Sequence, residues 1–278
     1  MKVLFAALIS VFGGVSSAQD VVVYGGTPGG IAAAISAARM GSAVTLVEYH
    51  EHIGGMMTSG LGKSDIENRE KIGGIFKEFI AGVQQYYVMT YGAGSEDAKL
   101  SHDGYYSEPH VAERVLETLL GREKNITVLR GWRLVSARVE RGRPQEVTIV
   151  NRHAGGERTL AGRIFIDATY EGDLLAAAGA KFRLGREARS EFDEDHAGVV
   201  YFDYQAHEFL PGTTGAADRD LPAYTYRLCL TKDPANSHRL SRPPPDYDRT
   251  NYLGYFDDLK AGRLSGPKVF KPGRGYNP

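Results

Sequence analysis

The stretch Asp20-Val21-Val22-Val23-Tyr24-Gly25-Gly26-Thr27-Pro28-Gly29-Gly30 decides how this chain is read. Residues 20–24 are a β-rich apolar run that ends in glycine, the pattern of a buried parallel strand. Residues 29–40 are rich in Ala and Ile, with Gly41 placed to end a helix. A second apolar run, 43–47, closes on Glu48. Strand, glycine turn, helix and strand thus fit inside thirty residues as one βαβ unit.

The turn carries the chemistry. Gly25 has no Cβ, so the chain can leave the strand in a tight bend. Gly30 lets the Ala-rich helix pack closely on a sheet. The helix N-terminus presents free amides and roughly half a positive charge, which suits a diphosphate. The middle glycine of the usual GxGxxG pattern is Thr27 here, a β-branched residue that crowds the approach but brings a hydroxyl. Glu48 lies eighteen positions past Gly30, at the end of the second strand. A carboxylate there accepts hydrogen bonds from both hydroxyls of a ribose and repels a 2′-phosphate, which favours FAD or NAD over NADP. Gly25, Gly26, Thr27, Pro28, Gly29, Gly30 and Glu48 are therefore the first candidate cofactor residues. The plainer account is a glycine-rich turn with a solvated Glu.

Outward from that unit, a glycine-rich stretch runs over 54–62 and a helix is predicted over 75–87. A polar loop, 92–106, precedes a helix starting near Ser107-Glu108-Pro109, with Pro in the first turn and Ser107 or Glu108 as cap. Residues 126–129 read as the next parallel strand. Three β-rich segments follow at 132–139, 146–151 and 158–163, separated by Arg141-Gly142-Arg143-Pro144 and Gly155-Gly156, as in an antiparallel meander. Residues 164–166 return as a strand that ends at Asp167-Ala168-Thr169. Beyond Gly185 periodicity fades, Pro243-Pro244-Pro245 marks a loop or linker, and 224–231 alternates as one strand. The Gly, Pro and Arg-rich residues 271–278 close no element. The fold class is α/β: a Rossmann-like domain with a parallel sheet and an inserted antiparallel meander over 19–185. An incomplete second, substrate-binding domain follows over 186–278.

Lys plus Arg is 33 and Asp plus Glu is 34, so the net charge of −1 creates no field that draws nucleic acid. Lys2, an apolar run over 3–12 and Ser16-Ser17-Ala18 have the form of a secretory signal peptide cut after Ala18. The run is too short to span a bilayer, so an exported protein without a membrane span is expected, periplasmic or secreted. Cys229 is the only cysteine, which excludes an intramolecular disulfide and a cysteine-ligated iron–sulfur cluster within the chain.

His52-Ile53-Gly54-Gly55-Met56-Met57-Thr58-Ser59 resembles the paired-glycine segment that follows the second strand in glutathione-reductase-like flavoproteins. The arginine often found after the glycine pair is Met56 here. Residues 164–169 resemble a second flavoprotein signature, an apolar strand ending in Ala-Thr-Gly, with Tyr170 in place of its glycine. With Glu108-Pro109-His110-Val111-Ala112-Glu113, Ile166-Asp167-Ala168-Thr169-Tyr170-Glu171-Gly172-Asp173-Leu174 and Asp233-Pro234-Ala235-Asn236, the chain resembles a family of exported bacterial FAD-dependent oxidoreductases. Some members carry the label xanthan lyase, and the flavin part is similar to the flavoprotein component of heterodisulfide reductase. The resemblance implies FAD as cofactor, bound through Gly54, Gly55, Met56, Thr58, Ser59, Ala168 and Thr169 besides the first set. It also implies a C-terminal flavin-binding segment not visible in this chain, which therefore reads as an N-terminal fragment.

Catalytic groups are sparse. Glu108 and His110 stand at a helix start, where the dipole can tune an acid or base, although capping and a surface His explain them as well. Asp65, with Ser64 and Asn68, follows the glycine-rich loop; Glu171 and Asp173 follow a strand end; each set also reads as solvated loop. His50 and His52 flank Glu51 with no third ligand at a convincing spacing, so no metal is expected. The expectation is a FAD-dependent oxidoreductase acting outside the cytoplasm on a small molecule, with sugar chemistry indicated by the family label, and an unassigned electron acceptor. A truncated, inactive flavoprotein fragment and an NAD-dependent dehydrogenase are the alternatives.

Overall fold

The computed structural model describes residues 19–203, 206–221, 231, 233–238 and 241–260. The expected signal segment at 1–18, the strand expected at 224–231 except Thr231, Cys229 and the tail at 271–278 lie outside the described residues.

The elements in chain order are β1 (Gln19–Tyr24), α1 (Pro28–Arg39), β2 (Val44–Glu48), α2 (Gly74–Tyr91), α3 (Glu96–Leu100), α4 (Pro109–Gly121), β3 (Ile126–Arg130), β4 (Trp132–Glu140), β5 (Arg143–Asn151), β6 (Glu157–Asp167), α5 (Asp173–Ala177), α6 (Arg189–Phe192), β7 (Phe202–Asp203), β8 (Glu208–Phe209) and α7 (Leu253–Lys260). They divide into two compact units, the described residues of 1–25, 42–49 and 127–226, and those of 26–41, 50–126 and 227–278. Among the described residues no helix is long and apolar enough to cross a membrane.

The first unit is built on one six-stranded sheet in the order β3-β2-β1-β6-β5-β4. β1 runs parallel to β2, with Tyr24 opposite Val47, and parallel to β6, with Tyr24 opposite Asp167. The meander is present as β4, β5 and β6, but its third strand is also the parallel strand expected separately at 164–166. Residues 157–161 of β6 pair antiparallel with β5, and residues 162–167 pair parallel with β1. The change from alternating to continuous hydrophobicity near Arg163 marks a change of neighbours, not an end of the strand. Gly162 sits at the exchange, where an added Cβ would lie 2.9 Å from Val22 Cγ2.

The first meander turn is also shorter than the sequence predicts. Arg141 (φ 51°) and Gly142 (φ 74°) turn the hairpin alone, while Arg143 and Pro144 already belong to β5. Two successive positive φ values match the twist of a tight hairpin, and Pro144 is tolerated because it pairs with Val139 next to a register shift. A second shift falls between Leu134 and Ser136; there the Leu134 N–H donates to Tyr24 Oη at 2.9 Å. Tyr24 is buried, and burial pushes its phenol above the ordinary range despite that bond. Around it Val22, Val47, Leu134, Val147, Ile149, Leu160 and Leu174 form one apolar cluster. Each such side chain contributes roughly 1.5–3 kcal/mol by leaving water.

In the second unit, α2 buries Phe79, Ile80, Val83 and Tyr87, and α4 buries Val111, Ala112, Val115, Leu116, Leu119 and Leu120. Those spacings make one apolar stripe on each helix. The helices pack closely at Gly82, where an added Cβ would meet Val115 Cγ1 at 2.7 Å. The expected polar loop 92–106 contains the short helix α3. Ser95 starts it by accepting the Ala98 N–H at 3.1 Å, and Glu96 and Asp97 occupy the positive first turn.

Candidate functional site

In the sheet unit, the register brings three predicted residues to one edge. Gly25, Glu48 and Ala168 lie at or one residue beyond the C-terminal ends of the adjacent parallel strands β1, β2 and β6. The pairing continues into the turns: Gly25 N–H donates to Val47 O at 2.8 Å, and Ala168 N–H donates to Tyr24 O at 2.8 Å. Ligands of open parallel sheets bind outside this edge. Gly25 has φ 109°, and an added Cβ would lie 2.6 Å from Ala168 C and 2.7 Å from Thr169 N. Only glycine fits there. Glu48 is 8% exposed, a carboxylate at the strand end in largely buried surroundings.

The turn after β6 is organised by Asp167, a role that its place in the Asp167-Ala168-Thr169 motif does not by itself show. Its Oδ1 accepts from Thr169 N (3.0 Å) and Thr169 Oγ1 (2.7 Å), and its Oδ2 accepts from Leu175 N (2.7 Å). Thr169 Oγ1 in turn accepts from Gly172 N at 2.8 Å and Asp173 N at 3.2 Å. The Thr169 hydroxyl is thus engaged in the turn itself, which leaves backbone as what this residue offers a cofactor. Asp173 is held above the ordinary carboxylate range by burial first, then by the charges of Glu171 and Asp167. Those three acids crowd one another at this strand end.

In the helical unit, Thr27 is the N-cap of α1 and its Oγ1 accepts the Gly30 N–H at 3.2 Å. Pro28 occupies the first turn, and Gly30 is buried. An added Cβ on Gly29 would meet only Thr27 Oγ1, at an ordinary 3.8 Å. The residue that departs from the usual glycine pattern therefore starts the helix. Gly26 O accepts the Gly54 N–H at 2.7 Å, so the first glycine turn and the paired-glycine segment are joined backbone to backbone. Gly54 (φ 98°) and Gly55 (φ 53°) both take left-handed conformations. Thr58 Oγ1 donates to Ile53 O at 2.6 Å, closing the segment on itself, while Met56 and Ser59 are exposed.

Of the predicted catalytic residues, Glu108 and His110 lie against α2 and Asp65 lies beside Lys63. Glu108 caps α4 without a side-chain bond to its amides; its N–H donates to Tyr87 Oη at 3.0 Å, and its carboxylate accepts from that hydroxyl at 3.4 Å. Burial, ahead of the Glu108 charge, pushes the Tyr87 phenol far above its usual range. His110 is exposed beside Tyr86, with ring centres 6.5 Å apart. Both thus face α2. Asp65 is exposed, 3.6 Å from Lys63 Nζ, at the rim of a cleft of about 260 Å³ lined by Met57, Leu61, Ser64, Phe76 and Phe79. Among the described residues no three His, Cys, Asp or Glu side chains gather as a metal site. His52 instead contacts Glu113, from Nδ1 to Oε2 at 2.9 Å. Glu113 is the second residue that sequence reasoning missed. The signal was its place in the Glu-Pro-His-Val-Ala-Glu string, with nothing to name a partner 61 residues upstream.

The residues present fit a dinucleotide. The sheet unit supplies a glycine turn that no Cβ can enter and a buried carboxylate ending the second strand, and the helical unit supplies the Thr27-capped N-terminus of α1. A mixed α/β sheet with these features defines a Rossmann-like dinucleotide-binding protein. Residues 20–272 match the family described as FAD dependent oxidoreductase. The chain belongs to that family, and FAD is its cofactor.

No curated protein matches the chain. Among solved structures it is similar to a myxobacterial FAD-dependent chondrochloren halogenase, at 19% identity and TM-score 0.41, over 55% of this chain and 38% of that one. L-proline dehydrogenase from P. horikoshii matches at 15% identity and TM-score 0.39, over 61% and 58%. Glycerol-3-phosphate dehydrogenase from Bacillus halodurans, solved with FAD, matches at 13% identity and TM-score 0.40, over 63% and 41%. The chain thus spans between 38% and 58% of the length of these three.

Proposed function

We propose that this chain is the FAD-holding part of an oxidoreductase that acts on a small molecule outside the cytoplasm. Membership of the FAD dependent oxidoreductase family supports the reaction class, and the buried Glu48 at the end of β2 is the single observation that carries the cofactor assignment. Glu48 would accept the hydroxyls of the adenosine ribose, and its charge would exclude a 2′-phosphate. The amides at the start of α1 would face the diphosphate, with Thr27 holding Gly30 in place. Gly54, Gly55, Met56, Thr58 and Ser59 would meet the cofactor through backbone and exposed side chains. Ala168 and Thr169 would do so through backbone, since Asp167 holds the Thr169 side chain. FAD, when bound, supplies the hydride or electron transfer, and the protein's share is position and polarity.

Export rests on the signal-like residues 1–18, and a substrate-binding role for 186–278 rests on the change of composition beyond Gly185. The label xanthan lyase, carried by some members of the family that the sequence resembles, is what suggests sugar chemistry for the substrate. Titrating purified protein with FAD and following flavin fluorescence tests the core of this reading. Saturable binding is expected, with Glu48→Ala weaker by about tenfold or more, the loss of one or two hydrogen bonds to a charged group. A chain that leaves FAD fluorescence unchanged at every concentration refutes the assignment.

A further inference from the structure

We propose that Glu113 is a positioning residue, one that holds the paired-glycine segment in the shape that receives FAD; the proposal rests on the cofactor assignment above. Within the segment, Met57 N–H donates to Gly54 O at 3.1 Å and Ser59 N–H to Met56 O at 3.2 Å, bonds that begin only after its entry. Two adjacent glycines at positive φ, Gly54 and Gly55, have more conformations to lose than any other pair of residues. The Thr58 hydroxyl ties only neighbours together, reaching Ile53 O and Gly55 O. Two bonds fix its entry from outside. Gly54 N–H goes to Gly26 O at 2.7 Å, and the preceding amide, Ile53 N–H, goes to Glu113 Oε1 at 3.1 Å.

Glu113 lies on α4, and its carboxylate also meets His52 Nδ1 through Oε1 at 3.1 Å and Oε2 at 2.9 Å. Three residues along the same helix, Leu116 packs where a Gly54 side chain would go: an added Cβ there would lie 2.7 Å from Leu116 Cδ1. Residues three apart share a helix face, so α4 grips the segment with one polar and one apolar side chain. A carboxylate that merely solvated a surface histidine would account for His52, which is 77% exposed. It would not account for the Ile53 amide, which belongs to a fully buried residue and has a charged acceptor on a different element. Bonds to ionised acceptors are the stronger kind, and a buried amide deprived of one pulls its loop apart.

The test reads the clamp with and without FAD. Amide hydrogen exchange at Ile53 in the cofactor-free protein reports the bond directly, and FAD fluorescence titration reports its consequence. Glu113→Ala is expected to speed Ile53 exchange and weaken FAD binding, each by about tenfold or more. Glu113→Gln keeps an acceptor for Ile53 and a donor for His52, so it is expected to stay within about threefold of the unaltered chain. Leu119→Ala, elsewhere on the buried face of α4, is expected to lower the melting temperature and leave FAD affinity unchanged. Should Glu113→Ala fail to fold, Glu113→Asp carries the same expectation, because its carboxylate stops one methylene short.

Unchanged Ile53 exchange in the Ala or Asp variant overturns the clamp alone. Unchanged FAD affinity in that variant, or an equal loss of affinity in Leu119→Ala, overturns the positioning role. An unaltered chain that ignores FAD overturns this proposal together with the cofactor assignment.

Discussion

The chain leaves β1 at Gly25 and leaves β6 at Ala168, on neighbouring strands of one sheet, and the two exits keep their shape by opposite means. At Gly25 the shape depends on an absence: any Cβ would strike the backbone of Ala168 and Thr169 at 2.6–2.7 Å, and the φ of 109° disfavours every other residue. At the β6 exit it depends on a presence. Asp167 gathers two amides and a hydroxyl, and Thr169 gathers two more amides behind it. The resemblance to the flavoprotein signature implied glycine where Tyr170 stands, yet Tyr170 is not among the non-glycine residues at positive φ. With Asp167 bracing the bend, the backbone has no need of glycine at that position. A sterically determined turn tolerates nothing added, whereas a hydrogen-bonded one tolerates change wherever its acceptors survive.

The largest effect should come from Gly25→Ala. Its new methyl meets backbone, which cannot rotate away, so a loss of roughly 3 kcal/mol or more is expected by urea denaturation. A wild-type midpoint would show that the two exits are equally permissive. Next is Asp167→Ala, expected to cost about 2 kcal/mol as Thr169 and Leu175 lose a charged acceptor. Asp167→Asn keeps one good acceptor oxygen and should lose about half as much. If Ala and Asn behave alike, the bracing account fails. Smallest is Tyr170→Gly, at a residue that is 55% exposed. It should change stability by no more than about 0.5 kcal/mol. A larger gain on introducing glycine would mean that the β6 exit is strained after all, and the contrast with Gly25 would narrow.

The same contrast explains what was legible in the sequence. The β1 exit is written locally: an apolar run, a glycine, a helix start and an acid at the end of the next run, all inside thirty residues. Glu48 and Gly25 could be found because strand register carries them to the same edge once β1 and β2 are recognised. The meander was legible from its alternation, but the continuity of β6 was not, since a strand that changes partners looks like two. Asp167 sat inside a recognised motif, but which donors it serves depends on the course of residues 169–175. Glu113 was less legible still. Its partners are 60 and 61 residues away, and no periodicity links a helix face to a loop amide that distant. Glu108 and His110 stand out locally at a helix start, and the fold places both beside aromatic rings of α2.

The exchange of neighbours along β6 also orders events in time. Its first half joins β5 across a short hairpin, a contact that closes cheaply, while its second half must wait for β1, about 140 residues earlier in the chain. The hairpins of β4, β5 and β6 therefore have the means to nucleate alone and present an unfinished edge at residues 162–167. Docking of β1 onto that edge is the slow, long-range closure. What that closure adds at Gly25 is the backbone of Ala168 and Thr169, the wall that leaves no room for a Cβ, so the demand for glycine is set by the last strand to arrive.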